Sequence, residues 1–213
     1  MCGTIDRAVP PFREEVLVPF VSTLADEPVV THCRGTLIFS SRPSLARRGH
    51  IDAYRKHLAP EHETAINSST AGTWLPIELG IAHYRACDAL DLSMDEQLQL
   101  GAAVVLEIQR TFIGTAMRAA ARGAAISPIV GLKQFFGTYA RSIRGGGSRL
   151  VQTGPKDLRV EFVGNPLAGI RYFRVAYRGF IVAGCEVFAR RVVAAELDAY
   201  ASPTSVAYRI AWA

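Results

Sequence analysis

No apolar run in this chain is long enough to cross a bilayer, because Arg122 interrupts the alanine-rich stretch and Glu186 the run after Gly179. The amino terminus lacks a basic start followed by an apolar stretch, so it does not read as a secretory signal, and a cytoplasmic protein is expected. Cysteine is sparse: Cys2, Cys33, Cys87 and Cys185 lie far apart and form no C-x-x-C pair. Neither a zinc site nor a disulfide framework follows from them. No histidine occurs after His83. His50, His57 and His62 stand near Glu61 and Glu63, but Pro60 breaks any single helical face that could present them to a metal. No Ser, His and acid set stands at a recognisable spacing and no nucleophile elbow occurs, so no catalytic residues are assigned. The 24 Lys and Arg against 19 Asp and Glu give a net charge of +5, spread without a basic stripe, which argues against nucleic acid as a partner. The glycines at 145, 146 and 147 follow a helix, precede a strand and lack a lysine, so they read as a linker and not as a phosphate cradle.

What the chain has is apolar patterning. With 213 residues and 49% hydrophobic content it can bury a sizeable core. Ser93 followed by Glu96 is a capping box that fixes a helix start, and Leu98, Val105 and Phe112 recur behind it, with Ala102, Ile108 and Thr115 beside them. The small residues Gly114, Ala116, Gly123 and Ala124 suit a close helix crossing and a homodimer formed through it. Ser127 and Pro128 start a second helix, striped by Ile129, Leu132, Phe136 and Ile143 and ended by the glycines from 145. Earlier, Leu45, Tyr54 and Leu58 mark one face of a segment reaching Pro60, residues 61–72 read as loop, and Thr73 with Pro76 starts a helix to about Leu90 on which His83 lies beside the stripe of Ile77, Ile81 and Tyr84.

After the glycines the period changes to two. Leu158, Val160 and Phe162 alternate with Arg159 and Glu161, and the turn Thr153-Gly154-Pro155 joins them to a strand at 149–152. Ile170, Phe173, Tyr177 and Ile181 then step as a helix, and residues 190–197 and 206–212 alternate again, with Trp212 expected to be buried. The fold expected is α+β: a helical amino-terminal part packed on a mostly antiparallel sheet of about four strands in strand-strand-helix-strand-strand order. Residues 1–33 read as an extension with strand-like runs at Val16-Leu17-Val18 and Val29-Val30, and 34–213 as one domain with a helical half, 34–144, and a sheet half, 148–213. The opening Met-Cys-Gly resembles the start of amidotransferases with an amino-terminal cysteine nucleophile, but nothing downstream supplies their glutamine-holding motifs.

The strings Arg34-Gly35-Thr36-Leu37, Thr73-Trp74-Leu75-Pro76, Leu100-Gly101 and Ala207-Tyr208-Arg209-Ile210-Ala211-Trp212 resemble a myxobacterial paralogous family of uncharacterised proteins. More distantly, the chain is similar to the superfamily that holds the 4-vinyl-reductase domain, the haem and nitric-oxide binding domain and the small TRAPP subunits. The resemblance implies a ligand-sensing or adaptor domain, with a pocket between helices and sheet, and it implies pairing of subunits. The haem-binding members carry an axial histidine on a helix and a Tyr-x-Ser-x-Arg motif. Here the string Tyr139-Ala140-Arg141-Ser142-Ile143-Arg144 is one residue too long for that motif, so no haem or other cofactor is expected; the alternatives to a ligand-sensing or adaptor domain are a dimeric structural or interaction protein without a ligand and, behind it, a haem-based gas sensor. Trp74, His83, Phe136, Tyr139 and Arg144 are the candidate ligand-binding residues, for a small apolar or acidic ligand that Arg144 could pair.

Overall fold

The computed structural model describes residues 12–20, 28–110, 128–137 and 141–213. Along the chain the strands and helices are β1 (Glu15–Val18), β2 (His32–Arg34), α1 (Thr36–Phe39), α2 (Arg42–Arg47), α3 (Ile51–Lys56), α4 (Pro60–Asn67), β3 (Trp74–Pro76), α5 (Ile77–Asp88), α6 (Met94–Arg110), α7 (Pro128–Gly137), β4 (Ile143–Arg144), β5 (Gly147–Gly154), β6 (Asp157–Val163), α8 (Arg171–Cys185), β7 (Val193–Glu196) and β8 (Val206–Ala211). The α+β architecture is the one expected, with a five-stranded antiparallel sheet in the order β1-β5-β6-β8-β7. Helix α8 lies across it.

Alternation decides the faces of this sheet. Leu158, Val160, Phe162, Val206, Tyr208 and Ile210 point to the core, where Tyr177 of α8 meets the Phe162 ring at 5.3 Å and Tyr208 donates its hydroxyl to the Arg174 carbonyl at 2.9 Å. The opposite face is ionic. Buried Glu161 accepts from Arg149 and from Arg159 Nε at 2.7 Å, and Arg159 forks onto Glu14 at 2.8 and 2.9 Å, which ties the segment before β1 to the sheet. Glu15–Val18, set apart on sequence as part of an extension, thus supplies a fifth strand, paired with Leu150–Gln152.

A second, three-stranded sheet runs β3-β2-β4. Cys33, Leu75 and Ile143 face inward from it and are buried. This sheet corrects two helix boundaries. Trp74–Pro76 is a strand, and α5 begins only at Ile77 because Pro76 holds extended backbone at ψ 142°. The second long helix, expected to reach the glycines from 145, is described to Gly137, and Ile143–Arg144 is a strand paired with His32–Cys33.

Three more expectations are corrected. Residues 60–67 form helix α4, opened by Pro60 and anchored by fully buried Ile66, where a loop was expected. Leu45, Tyr54 and Leu58 are all buried, but from two short helices and the turn that follows them, separated at Gly49, whose φ of +77° no continuing helix allows. Trp212 is half-buried, since β8 stops at Ala211.

Helix α6 starts as its capping box requires: Glu96 N–H donates to Ser93 Oγ at 3.3 Å and Ser93 N–H to Glu96 Oε2 at 3.1 Å. Asp88 does the same service for α8, its carboxylate accepting from Tyr172 N–H at 2.8 Å. The two helices cross with backbone against backbone. A Cβ on Gly101 would lie 1.7 Å from the Ala176 carbonyl oxygen, and one on Gly179 would lie 2.0 Å from that of Leu98. The crossing expected at Gly114, Ala116, Gly123 and Ala124, and the dimer tied to it, fall outside the described residues.

Gly101→Ala and Gly179→Ala should each destabilise by about 1–3 kcal/mol in denaturant unfolding, although alanine is the better helix former by about 1 kcal/mol. Removing residues 206–213 deletes a strand hydrogen-bonded on both sides, and this truncated chain should aggregate or lose its near-ultraviolet dichroism.

Candidate functional site

The α6–α8 crossing leaves a cleft that α1, the turn after it and α5 close from the side. Leu37, Leu100, Gly101, Val104 and Ala176 give it aliphatic walls, and Tyr84, Tyr172, Phe173, Tyr177 and Phe180 give it aromatic ones. The rings are fixed by one another: Tyr84 meets Phe173 edge-on at 5.1 Å, Phe173 stacks on Tyr177 at 5.2 Å, and Tyr177 tilts over Phe180 at 5.3 Å. Free space amounts to about 60 Å³. That is a few times the ~10–15 Å³ that one water needs. Ser40, Ser41 and the tyrosine hydroxyls are its polar groups, and its lining includes no Asp, Glu, His, Lys, Arg or Cys.

Behind Ser41 lies His83, fully buried between two hydroxyls. Ser41 Oγ is 3.0 Å from His83 Nε2 and 3.1 Å from the Ile38 carbonyl, and Tyr54 Oη is 2.9 Å from His83 Nδ1. One arrangement of protons satisfies all three contacts. Ser41 donates to Ile38, so it accepts from Nε2–H, and Nδ1 then accepts from Tyr54. Burial in an apolar surround pushes His83 down to about 3, with Arg42 adding to the effect. Tyr54 and Cys87 are pushed up by the same burial. This histidine is neutral at physiological pH and shapes the cleft through Ser41 and through Tyr84, whose ring it meets edge-on at 4.9 Å.

The residues singled out on sequence fall in different places. His83, expected beside the apolar stripe of α5, is instead wholly inside. Phe136 of α7 is buried in the core. Trp74 and Arg144 do come together, with Arg34, on the outer face of the small sheet. Tyr139 lies outside the described residues. None of the four that are described lines the cleft. The residues that do were legible in part: Phe173 and Tyr177 belong to the stripe read for α8, but Tyr172 and Phe180, one step off that stripe, close the aromatic wall from its edge.

No histidine of the chain is placed to hold a haem in this cleft. His83 has both ring nitrogens engaged, and His32, with Nδ1 on Thr31 Oγ1 at 3.1 Å, His50, His57 and His62 all lie off the cleft. Among the described residues no group of three or more His, Cys, Asp or Glu could hold a metal ion, and no helix is long and apolar enough to cross a membrane.

Among solved structures the chain is similar in fold to the Fe(II) unliganded H-NOX protein from K. algicida, at 12% identity and a TM-score of 0.59 over 84% of this chain and 96% of that one. It is similar also to the A71G mutant of that protein, at 11% identity and a TM-score of 0.58 over 84% and 96%. An H-NOX chain from a study of haem distortion aligns at 10% identity and a TM-score of 0.51 over 84% and 94%. At such identities the likeness is one of fold. No family model matches the sequence, and no curated protein does.

Because the folded-state value of His83 lies below its unfolded value near 6.5, the unfolded chain binds the extra proton first, and stability falls as pH drops through the window from 6.5 to about 3. The loss should approach about 1.4 kcal/mol per pH unit inside that window. Comparing denaturant midpoints at pH 7 and pH 5 should show this slope in the native protein and a shallower one in His83→Gln.

Proposed function

We propose that this chain is a non-enzymatic, haem-independent domain that senses a small apolar ligand in the cleft between α6 and α8. The observation that carries the reading is the aromatic cleft with no Asp, Glu, His, Lys, Arg or Cys in its lining. Such a wall offers apolar and aromatic contact, with the hydroxyls of Ser40, Ser41 and Tyr84 already donated to backbone carbonyls, and no acid, base or strong nucleophile for chemistry. The shared H-NOX fold supports a ligand-binding role by analogy, since those neighbours include an Fe(II) unliganded protein and one studied for haem distortion. Of the residues named from sequence, His83 would serve this site indirectly, by holding Ser41 at its wall.

The ligand has to be small or reach out of the cleft, given about 60 Å³ of space. Thermal unfolding with xenon under pressure, or with indole, tests the reading. Ligand at a hundredfold excess over Kd should raise Tm by about 5 °C or more. Val104→Trp, which fills the cleft from its half-buried edge, should abolish that rise. Neither probe shifting the native protein would sink the ligand reading. A stoichiometric Soret band after reconstitution with haemin would sink the haem-independent part.

A further inference from the structure

The arginines of the large sheet are all matched to acids: Arg149 and Arg159 to Glu161, Arg159 to Glu14, and Arg209 to Asp157, while Arg174 of α8 pairs Glu196 of β7. The small sheet breaks this habit. Its outward register positions are His32, Arg34, Trp74 and Arg144, since Cys33, Leu75 and Ile143 take the inward ones. The guanidinium carbons of Arg34 and Arg144 stand over one Trp74 ring at 4.1 and 4.3 Å. Two like charges are thus gathered on one indole, and no ion pair joins either to a carboxylate of the described residues.

The two arginines differ in what they still offer. Arg34 spends its donors on backbone, Nη1 on the Gly72 carbonyl at 2.5 Å and Nε on that of Arg141 at 3.4 Å. Exposed Arg144 has no such bond to a described residue, and its contact with Trp74 holds the guanidinium beside the ring while its N–H donors stay open to an incoming acceptor. A fork held in this way matches the two oxygens of a carboxylate.

We propose that this face docks an acidic segment of a protein partner, with Arg144 as the residue that binds a carboxylate and Trp74 as its platform. The inference goes beyond the cleft and does not rest on it. A nucleic acid is the weaker occupant for two reasons. The ring is already engaged by two guanidiniums and is a poor surface for stacking bases, and two cations fall short of the phosphate track such complexes need.

Titrating the full chain in a Trp212→Phe background with polyglutamate at low ionic strength, and following Trp74 fluorescence, tests it. A saturable change is expected, weakened about tenfold by Arg144→Ala as one charged hydrogen-bonding group is lost. Arg144→Lys should recover only part of the loss, and salt should weaken all three. Circular dichroism should be unchanged in these variants because Arg144 is exposed. No saturable response, an equal Kd in Arg144→Ala, full recovery in Arg144→Lys, or tighter binding of oligo-dT than of polyglutamate would each overturn the assignment.

Discussion

Everything on the core side of this protein depends on α6 and α8 meeting without side chains between them. Gly101 faces the Ala176 carbonyl and Gly179 faces that of Leu98, so each helix supplies one glycine and one stretch of bare backbone to the other. The contact brings α8 flat onto the large sheet and α6 flat onto α8. It also sets the cleft: with the helix axes pinned at this spacing, the larger side chains on either side of the pinch cannot close up, and the rings of Tyr84, Phe173, Tyr177 and Phe180 fill most of the remaining volume. The void is a by-product of the tightest contact in the fold.

Much of this was legible in the chain, and the misses have physical causes. The capping box at Ser93 and Glu96, the hairpin of β5 and β6 and the aromatic stripe of α8 are local signals, carried by residues within a turn or two of each other, and they were read correctly. The small sheet is the reverse. Its strands are two or three residues long and widely separated in sequence, so no periodicity exists for Trp74–Pro76 or Ile143–Arg144 to display, and a helix-starting proline reads the same before a helix as inside one. Helix α4 was missed because its composition is polar and only Ile66 is buried. The cleft was the hardest to see. Its walls come from α1, α5, α6 and α8, and the cleft exists because two glycines meet two carbonyls at the helix crossing, a pairing that no local stretch of sequence displays.

The fold shared with H-NOX structures and the site found here point in different directions. His83 sits where burial removes its charge and two hydroxyls occupy its nitrogens, which makes it a spacer between α2, α3 and α5 and no ligand for iron. A likeness of fold at about a tenth of identical residues carries no chemistry with it, so the lining of the cleft has to be read on its own.

The link between Glu14 and Arg159 joins residues 145 positions apart. Most other pairings of the large sheet are hairpins or close neighbours in sequence, so β1 carries the largest loop-closure entropy of the five strands. Until it docks, β5 has a bare edge of backbone donors and acceptors beside apolar Leu150 and Val151. In the folded protein the ionic clamp on the far face, by holding the segment before β1, helps to keep that edge covered by the chain's own amino-terminal strand.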